Sequence, residues 1–598
     1  MTDKFVFAVF AVGILGALGL CGCAGGSGGG GNPPPPPNIT IKSISTYYPN
    51  NTALSLAWAI AGQGGFTLLV SGTGFTNSAA VQWNGNVLPT MFGDSTDLAA
   101  IVTDALIAAP GKATITVSDS GATSNTVILP IASPAAATAG VAALVTVASD
   151  GSSANGDSLV APSISATGRY VAFQSNATNL APGIASGFQE IYERDTCIGA
   201  PPGCSPSTTR ITVTADGSPV NAHSRSSAIS ADGRYVAFDS QATNILPGTS
   251  VCANNCVFLR DTCVGASGIC APTTELISLA SDGTPAGGAD PSISPDGRFV
   301  AFDSLSPNIV SGDSGGADEA FVRDTCTGST NCPSHNILIS APVTGTQDNS
   351  STGLPAGSGN SRYFAFQSWA TNILSSETNL PGNFWRDTCI GGPPSCVSST
   401  VRVDLASGGS QPNNTVFTPM APAITADGRL VAFGSGATNL VSTMVTGKGD
   451  VYARDTCTGV ASGCTPSTSL VSFANDGSVG NCGSPGNAGG LSISADGRFV
   501  SFGSIATNLT PDDGFPACGW EDIFVRDTCF GVSSGCVAST VRVSVANTPN
   551  PGISGNAINS SSAMSSDGHY VVFISSATNF LSPPSNGHAM VYLAKTGF

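Results

Sequence analysis

Short runs in which nearly every position is apolar return at an almost fixed period along this 598-residue chain. The copies read ISATGRYVAF, ISADGRYVAF, ISPDGRFVAF, GSGNSRYFAF, ITADGRLVAF, ISADGRFVSF and MSSDGHYVVF, between Ile164 and Phe573. With Arg169, Arg234, Arg298, Arg362, Arg429, Arg498 and His569 as markers, the steps are 65, 64, 64, 67, 69 and 71 residues. Such a period means one supersecondary unit, copied and stacked, because a single copy cannot bury its own apolar face. Each unit reads as four strands. In the second they are AIS (228–230), RYVAFDS (234–240) after a tight turn at Asp232 and Gly233, VFLRDT (257–262) and TELISLAS (274–281). The run from Tyr235 to Phe238 is apolar on both alternating faces, as in a strand covered on both sides by stacked sheets.

The two ends of the array carry the sharpest information. Strands one to three occur seven times, but the fourth follows only six of those triplets. A seventh copy, ALVTVASDG (143–151), lies ahead of the first triplet. The pattern therefore predicts that this early strand completes the last sheet and locks a ring of seven four-stranded sheets. An open β-solenoid is the alternative; it would need capping units and has no use for a displaced strand.

Composition agrees with many short strands and Gly-rich turns: 73 Gly, 39 Pro and only 10% charged residues. With 21 basic against 38 acidic residues the formal charge is −17 and the pI near 4.4. A phosphate backbone needs basic patches, and their absence argues against nucleic acid as a partner. After Lys4, residues 5–20 form an apolar stretch too short for a comfortable span and suited to a signal-peptide core. It ends in Leu20-Cys21-Gly22-Cys23, which resembles a bacterial lipobox, with Cys23 the lipidation candidate and Cys21 the fallback. An ordinary cleaved signal is the plainer reading. Residues 24–37 are a Gly-rich then polyproline spacer.

Setting aside Cys21 and Cys23, sixteen cysteines fall into eight pairs. Six pairs follow Arg-Asp-Thr: Cys197 and Cys204, Cys263 and Cys270, Cys326 and Cys332, Cys389 and Cys396, Cys457 and Cys464, and Cys529 and Cys536. The others are Cys252 with Cys256 and the distant Cys482 with Cys518. Even count, local pairing and an export signal point to disulfides. Four histidines in the chain and the wrong spacing speak against zinc.

The S-x-DGR-[YF]-VAF core followed by a [VI]-[FY]-x-RD strand resembles the TolB-type, WD-repeat-like β-propeller, over 143–598. Departures are Thr167, Gly-Asn-Ser-Arg at 359–362 and His569. Residues 38–133 carry SGTGF (71–75), V-x-W-N-G (81–85) and a closing T-x-T-V-x-D, and resemble an IPT/TIG immunoglobulin-like domain. The expected organisation is signal peptide and lipobox (1–23), linker (24–37), Ig-like β-sandwich (38–133), hinge (134–142) and seven-bladed propeller (143–598).

The Arg-Asp of RDT and the Asp of DGR recur in the ring and read as scaffold. Divergent positions are the site candidates. In related propellers the loops from fourth strand to next first strand, and from second to third, share one face. The resemblance thus puts Cys482 and Cys518 on a common face, which makes their pairing plausible. That face would also collect Asp290, Asp313, Asp318, Glu319, Asp512, Asp513, Glu521 and Asp522. Asp313, Asp318 and Glu319 are the calcium candidates, since Ca²⁺ takes several hard oxygens. GDSGG (312–316) resembles a serine-protease nucleophile string, but no matching His segment exists; His223 in NAHS lacks the pattern. Trp369, Trp385 and Trp520 are candidates for stacking on sugars, with burial as the competing role.

The expected function is a lipid-anchored cell-envelope protein that binds a protein or glycan through its propeller face, without catalysis. Its membrane contact would be the lipid anchor alone. A carbohydrate lyase or hydrolase on that face is the alternative.

Overall fold

The computed structural model describes residues 39–47, 58–62, 64–132 and 134–598, apart from 184–185, 248–251, 253, 314–315, 330–331, 343–347, 376–380, 415–419, 444, 446, 485–489, 511–517, 519, 547–554 and 582–585. Cys21, Cys23, the apolar leader and the Gly/Pro spacer lie outside the described residues. Apart from two single-turn 3-10 elements, Asp104–Ile107 and Pro134–Ala137, the regular elements described are all strands. No helix among the described residues is long and apolar enough to cross a membrane.

The described residues between 40 and 132 form two sheets. One runs Thr40–Tyr47, Phe66–Thr73, Asp97–Val102, Thr90–Phe92 in spatial order; the other centres on Gly111–Asp119 between Val127–Ala132 and Ala80–Trp83. Alternation decides which side faces in: Phe66, Leu68 and Val70 from one sheet meet Ala113, Ile115 and Val117 from the other in a single core.

From Gly140 onward the described residues form seven four-stranded antiparallel sheets, one per repeat. The second consists of Ser224–Ile229, Tyr235–Ser240, Cys256–Asp261 and Thr273–Leu276. Its second strand is buried along nearly its whole length, as the doubly apolar run requires. In every sheet the Phe of the Val-Ala-Phe or equivalent run lies opposite an aromatic of the third strand, such as Phe238 against Phe258 at 5.5 Å between ring centroids.

The last sheet has the order Gly140–Leu144, Met590–Lys595, Tyr570–Ser575, Asn559–Met564. Gly140 pairs with Lys595, Ala143 with Leu593 and Leu144 with Tyr592, antiparallel. The early strand thus stands where the missing fourth strand of the last repeat would stand. It begins at Gly140, inside the stretch read from the sequence as a hinge.

Backbone bonds join the turns of successive sheets: Ala166 N–H to Ala231 O, Ala231 N–H to Pro295 O, Ala426 N–H to Ala495 O, and Ala495 N–H to Ser566 O. Asp567 of the last sheet donates back to Ala166 O of the first at 3.3 Å. The turn glycines serve this packing. At φ +82° and without a Cβ, Gly233 lets its turn sit on the ring of Tyr170 in the sheet before.

Candidate functional site

Each four-stranded sheet exposes two ends, and the repeated chemistry belongs to one of them. There Arg234 Nε and Nη2 donate to Asp261 Oδ1 and Oδ2 at 2.9 and 2.8 Å, and Asp261 Oδ1 also accepts the Cys263 N–H at 2.8 Å. The same Arg–Asp pair forms from Arg169, Arg298, Arg362, Arg429 and Arg498.

The eight cysteine pairs are disulfides: Cys197 with Cys204, Cys252 with Cys256, Cys263 with Cys270, and Cys326 with Cys332. The rest are Cys389 with Cys396, Cys457 with Cys464, Cys482 with Cys518, and Cys529 with Cys536. Asp195, Cys197 and Cys204, with their equivalents, lie close enough to suggest metal ligands. In the sixth sheet Cys536 is half-buried, its sulfur 3.8 Å from the Asp527 carboxylate. Sulfurs joined to each other are not thiolates, so Cys536 and its equivalents are staples. Cys518 departs from the clip pattern. It is exposed, and it joins buried Cys482 across 36 residues of sequence. That bond ties the loop before the first strand of the sixth sheet to the loop between its second and third strands.

The other end is tied by a motif that the sequence reading did not single out. Asn221 Nδ2 donates to Thr243 Oγ1 at 2.9 Å while Asn221 Oδ1 accepts the Thr243 N–H. Asn155, Asn349, Asn413, Asn481 and Asn556 make the same clamp in their sheets. The third sheet departs: Gly287 replaces the Asn, and its N–H goes to Ser306 Oγ.

The seven sheets differ at the residue after the aromatic of the second strand. It is Gln174, Asp239, Asp303, Gln367, Gly434, Gly503 and Ile574 in turn. The first four are buried polar side chains. Asp239 Oδ1 accepts the Ser226 N–H at 2.7 Å, and Asp303 Oδ2 accepts the Leu354 N–H at 3.0 Å. Asp303 Oδ1 has no hydrogen-bond partner.

These two aspartates belong to a continuous row of carboxyls. Asp290 interacts with Asp239, Asp303 and Asp318; Asp318 acts on Asp348; Asp348 and Asp313 act on Glu319. Burial and then the Asp290 charge push Asp318 up to about 6. Burial holds Asp239 at about 7, against the pull of the Ser226 hydrogen bonds. Asp303 is raised well above the carboxylate range, mainly by burial. Burial raises both Glu319 and Asp348, and the Asp348 charge raises Glu319 further. Arg225 bears on the row at its Asp239 end.

Within the row, Glu319 lacks a cation that its counterparts in other sheets have. The third strand starts with an acid in four sheets: Glu190, Glu319, Asp450 and Asp522. Arg210 and Arg542, on the fourth strands, reach Glu190 at 2.9 Å and Asp522 at 3.3 Å. In the third and fifth sheets that arginine position is Leu338 and Leu470. Glu319 is left among carboxyls, and burial drives Asp450 to about 7. In the fourth sheet Gly382 replaces the acid, and Arg402 fills the space a side chain there would need.

Of the sequence candidates, Asp290, Asp313, Asp318 and Glu319 come together in this row. Asp239, Asp303 and Asp348 were missed. Asp522 is paired, and Glu521 occupies the room left by Gly503. Asp512, Asp513 and part of the GDSGG string lie outside the described residues. His223 Nδ1 accepts the Gln189 N–H, its ring edge-on to Phe188. Trp385 is buried, stacked on Tyr363 and donating to Gly428 O, whereas Trp369 and Trp520 are exposed.

The first strands of six sheets, with residues next to them, wall a cavity of about 450 Å³. Its lining combines Pro291, Leu354, Pro355, Pro422 and Leu491 with several serines, and Asp290 is the single charged residue in it among those described. Leu305 and Trp369, just past the second strands of the third and fourth sheets, are exposed on the same face.

No protein-family model matches the chain, and no curated protein does. Among solved structures, the β-propeller domain of the Trilobed protease from Pyrococcus furiosus is similar over 74% of this chain and 98% of that one, at 10% identity and TM-score 0.36. TolB from Acinetobacter baumannii is similar over 66% and 75%, at 13% identity and TM-score 0.29. The GH93 alpha-L-arabinofuranosidase of Fusarium graminearum is similar over 62% and 91%, at 12% identity and TM-score 0.30. These neighbours are β-propeller proteins.

Proposed function

We propose that the seven sheets are the blades of a β-propeller closed by Gly140–Leu144, carried behind an IPT/TIG-type Ig-like domain, on a chain exported and lipid-anchored through Cys23. On this reading the protein is a cell-envelope binding scaffold, and its ligand, a protein or glycan, meets the face where the cavity opens beside the third sheet. One observation carries the reading. In a ring of near-identical sheets the third alone, among the described residues, combines a missing Asn clamp, a buried Asp303 and a Glu319 without its arginine. Scaffold positions repeat; a site is built once.

The second reading, a carbohydrate lyase or hydrolase, draws on the same row. A carboxyl that keeps its proton near neutrality, as at Asp239, is what a general acid requires. Calcium held by Asp313, Asp318 and Glu319 is compatible with either.

Glycan and envelope-protein arrays probed with the purified chain, with and without Ca²⁺, test the proposal. Binding that falls tenfold or more in Asp303→Asn, with no product released from bound glycans, supports the scaffold. Release of oligosaccharides overturns it in favour of the enzyme, and no binding to either array overturns both.

A further inference from the structure

The cavity and the acid row meet at Asp290, and their combined chemistry is selective. Asp290 Oδ1 is held by Ser226 Oγ at 2.7 Å, and the residue is exposed in the cavity wall. Asp303 reaches the wall through Leu354, a lining residue whose N–H donates to Asp303 Oδ2, and its buried Oδ1 has no partner. Half-buried Asp318 acts on both. A buried carboxylate that lacks a cation is costly, and a ligand that supplies one recovers that cost. Apart from the hydroxyls of Ser226, Ser227, Ser292 and Ser492, however, the rest of the wall is apolar, with Leu354, Pro355, Pro422 and Leu491 its bulkier members. A bare hard ion uses none of that apolar surface and draws six to eight oxygens to within 2.3–2.6 Å.

We infer that the cavity mouth takes a primary ammonium on an apolar stem, the chemistry of a lysine side chain offered by a partner polypeptide, with the ammonium among Asp290, Asp303 and Asp318. Its three N–H donors match three carboxyl groups, and its methylenes lie along the prolines and leucines of the wall. The excess negative charge of the chain steers such a partner in. The inference rests on the binding reading above and names the ligand class for that site.

The test is calorimetric titration of the full chain with a Gly-Gly-Lys-Gly-Gly peptide, the same peptide acetylated on the lysine Nζ, n-butylamine and CaCl2. Expected is binding of the free-lysine peptide at least tenfold tighter than of the acetylated one. Asp303→Asn should abolish the difference, and exposed Asp290→Asn should do so if the buried substitution fails to fold. Asp450→Asn, a buried acid of the fifth sheet, should leave it unchanged. Equal binding of the two peptides, or Ca²⁺ binding lost in Asp303→Asn with no response to amines, would each overturn the inference; butylamine bound while the peptide is refused would keep the ammonium and overturn the polypeptide partner. Failure here alongside ligands on the arrays would discard the ammonium and keep the scaffold; failure of both would discard the site.

Discussion

Arg210 closes on Glu190 at 2.9 Å, and the pair is buried between the third and fourth strands of the first sheet. The third sheet keeps the acid, as Glu319, but puts Leu338 in the arginine's place. Converting the first sheet to the third's arrangement, by Arg210→Leu, strands a buried carboxylate. The expected loss is about 3–5 kcal/mol at neutral pH, read by urea unfolding. A loss under about 1 kcal/mol would mean that the arginine contributes little.

The buried acids fix the sign of the pH dependence. Asp239 and Asp450 sit at about 7 when folded, and Asp303 is raised as well, against about 3.9 when unfolded. The folded state then holds more protons, so their contribution is full below about pH 4 and is lost as pH rises toward 7. The Arg-paired Asp261, Asp324 and Asp387 are lowered, and their contribution is lost as pH falls below about 4. Melting temperature should therefore peak near pH 4–5 and decline toward pH 8. Asp239→Asn should flatten the decline; an unchanged slope would contradict the assignment.

Each Cys clip closes a short loop beside an Arg–Asp pair. Replacing Cys389 and Cys396 by alanine should cost about 2.5 kcal/mol, the loop-closure value for eight residues. Reducing all eight bridges should lower the melting temperature by much more than any single replacement does. A reduced protein that melts like the oxidised one would show the clips to be dispensable.

The closing strand is open to a direct check. Ala143 and Leu593 are register partners, so cysteines at both should cross-link within one chain under mild oxidation. Removing residues through Leu144 takes away buried Val141 and uncovers the edge of Met590–Lys595. Burial of one such valine is worth about 1.5–3 kcal/mol. The truncated chain should unfold at markedly lower urea and tend to associate through the bared edge. Absence of the cross-link would contradict the closure.

Much of the fold was legible because its determinants are local and repeated. The Val-Ala-Phe runs marked the doubly covered strands, and counting fourth strands was enough to expect a strand from 143–151 beside the chain's last one, where the pairing in fact runs over Gly140–Leu144. Cysteine spacing identified the clips, such as Cys529 with Cys536. Cys482 with Cys518 needed more, since spacing alone says nothing about two loops that only the sheet between them brings together. The site was legible only in part, because its acids come from segments that the tertiary fold collects. Asp313, Asp318 and Glu319 stood out as an acidic loop. Asp303 did not, because it lies inside a strand and its neighbours disguise it as scaffold. Reading Gln174, Asp239, Asp303, Gln367, Gly434, Gly503 and Ile574 as one column would have revealed it. Asp348 had no such register, and only the contact with Glu319 shows its place.

The claim that ligands meet the face beside the third sheet can be tested in living cells with a photo-cross-linking phenylalanine. It is placed at Trp369, exposed next to the acid row, or at Ile269, exposed in a clip loop at the opposite end of its sheet. The account expects a discrete adduct from position 369 that disappears in Asp303→Asn, and none from position 269. An adduct from position 269 alone, or one from 369 indifferent to Asp303→Asn, would contradict it.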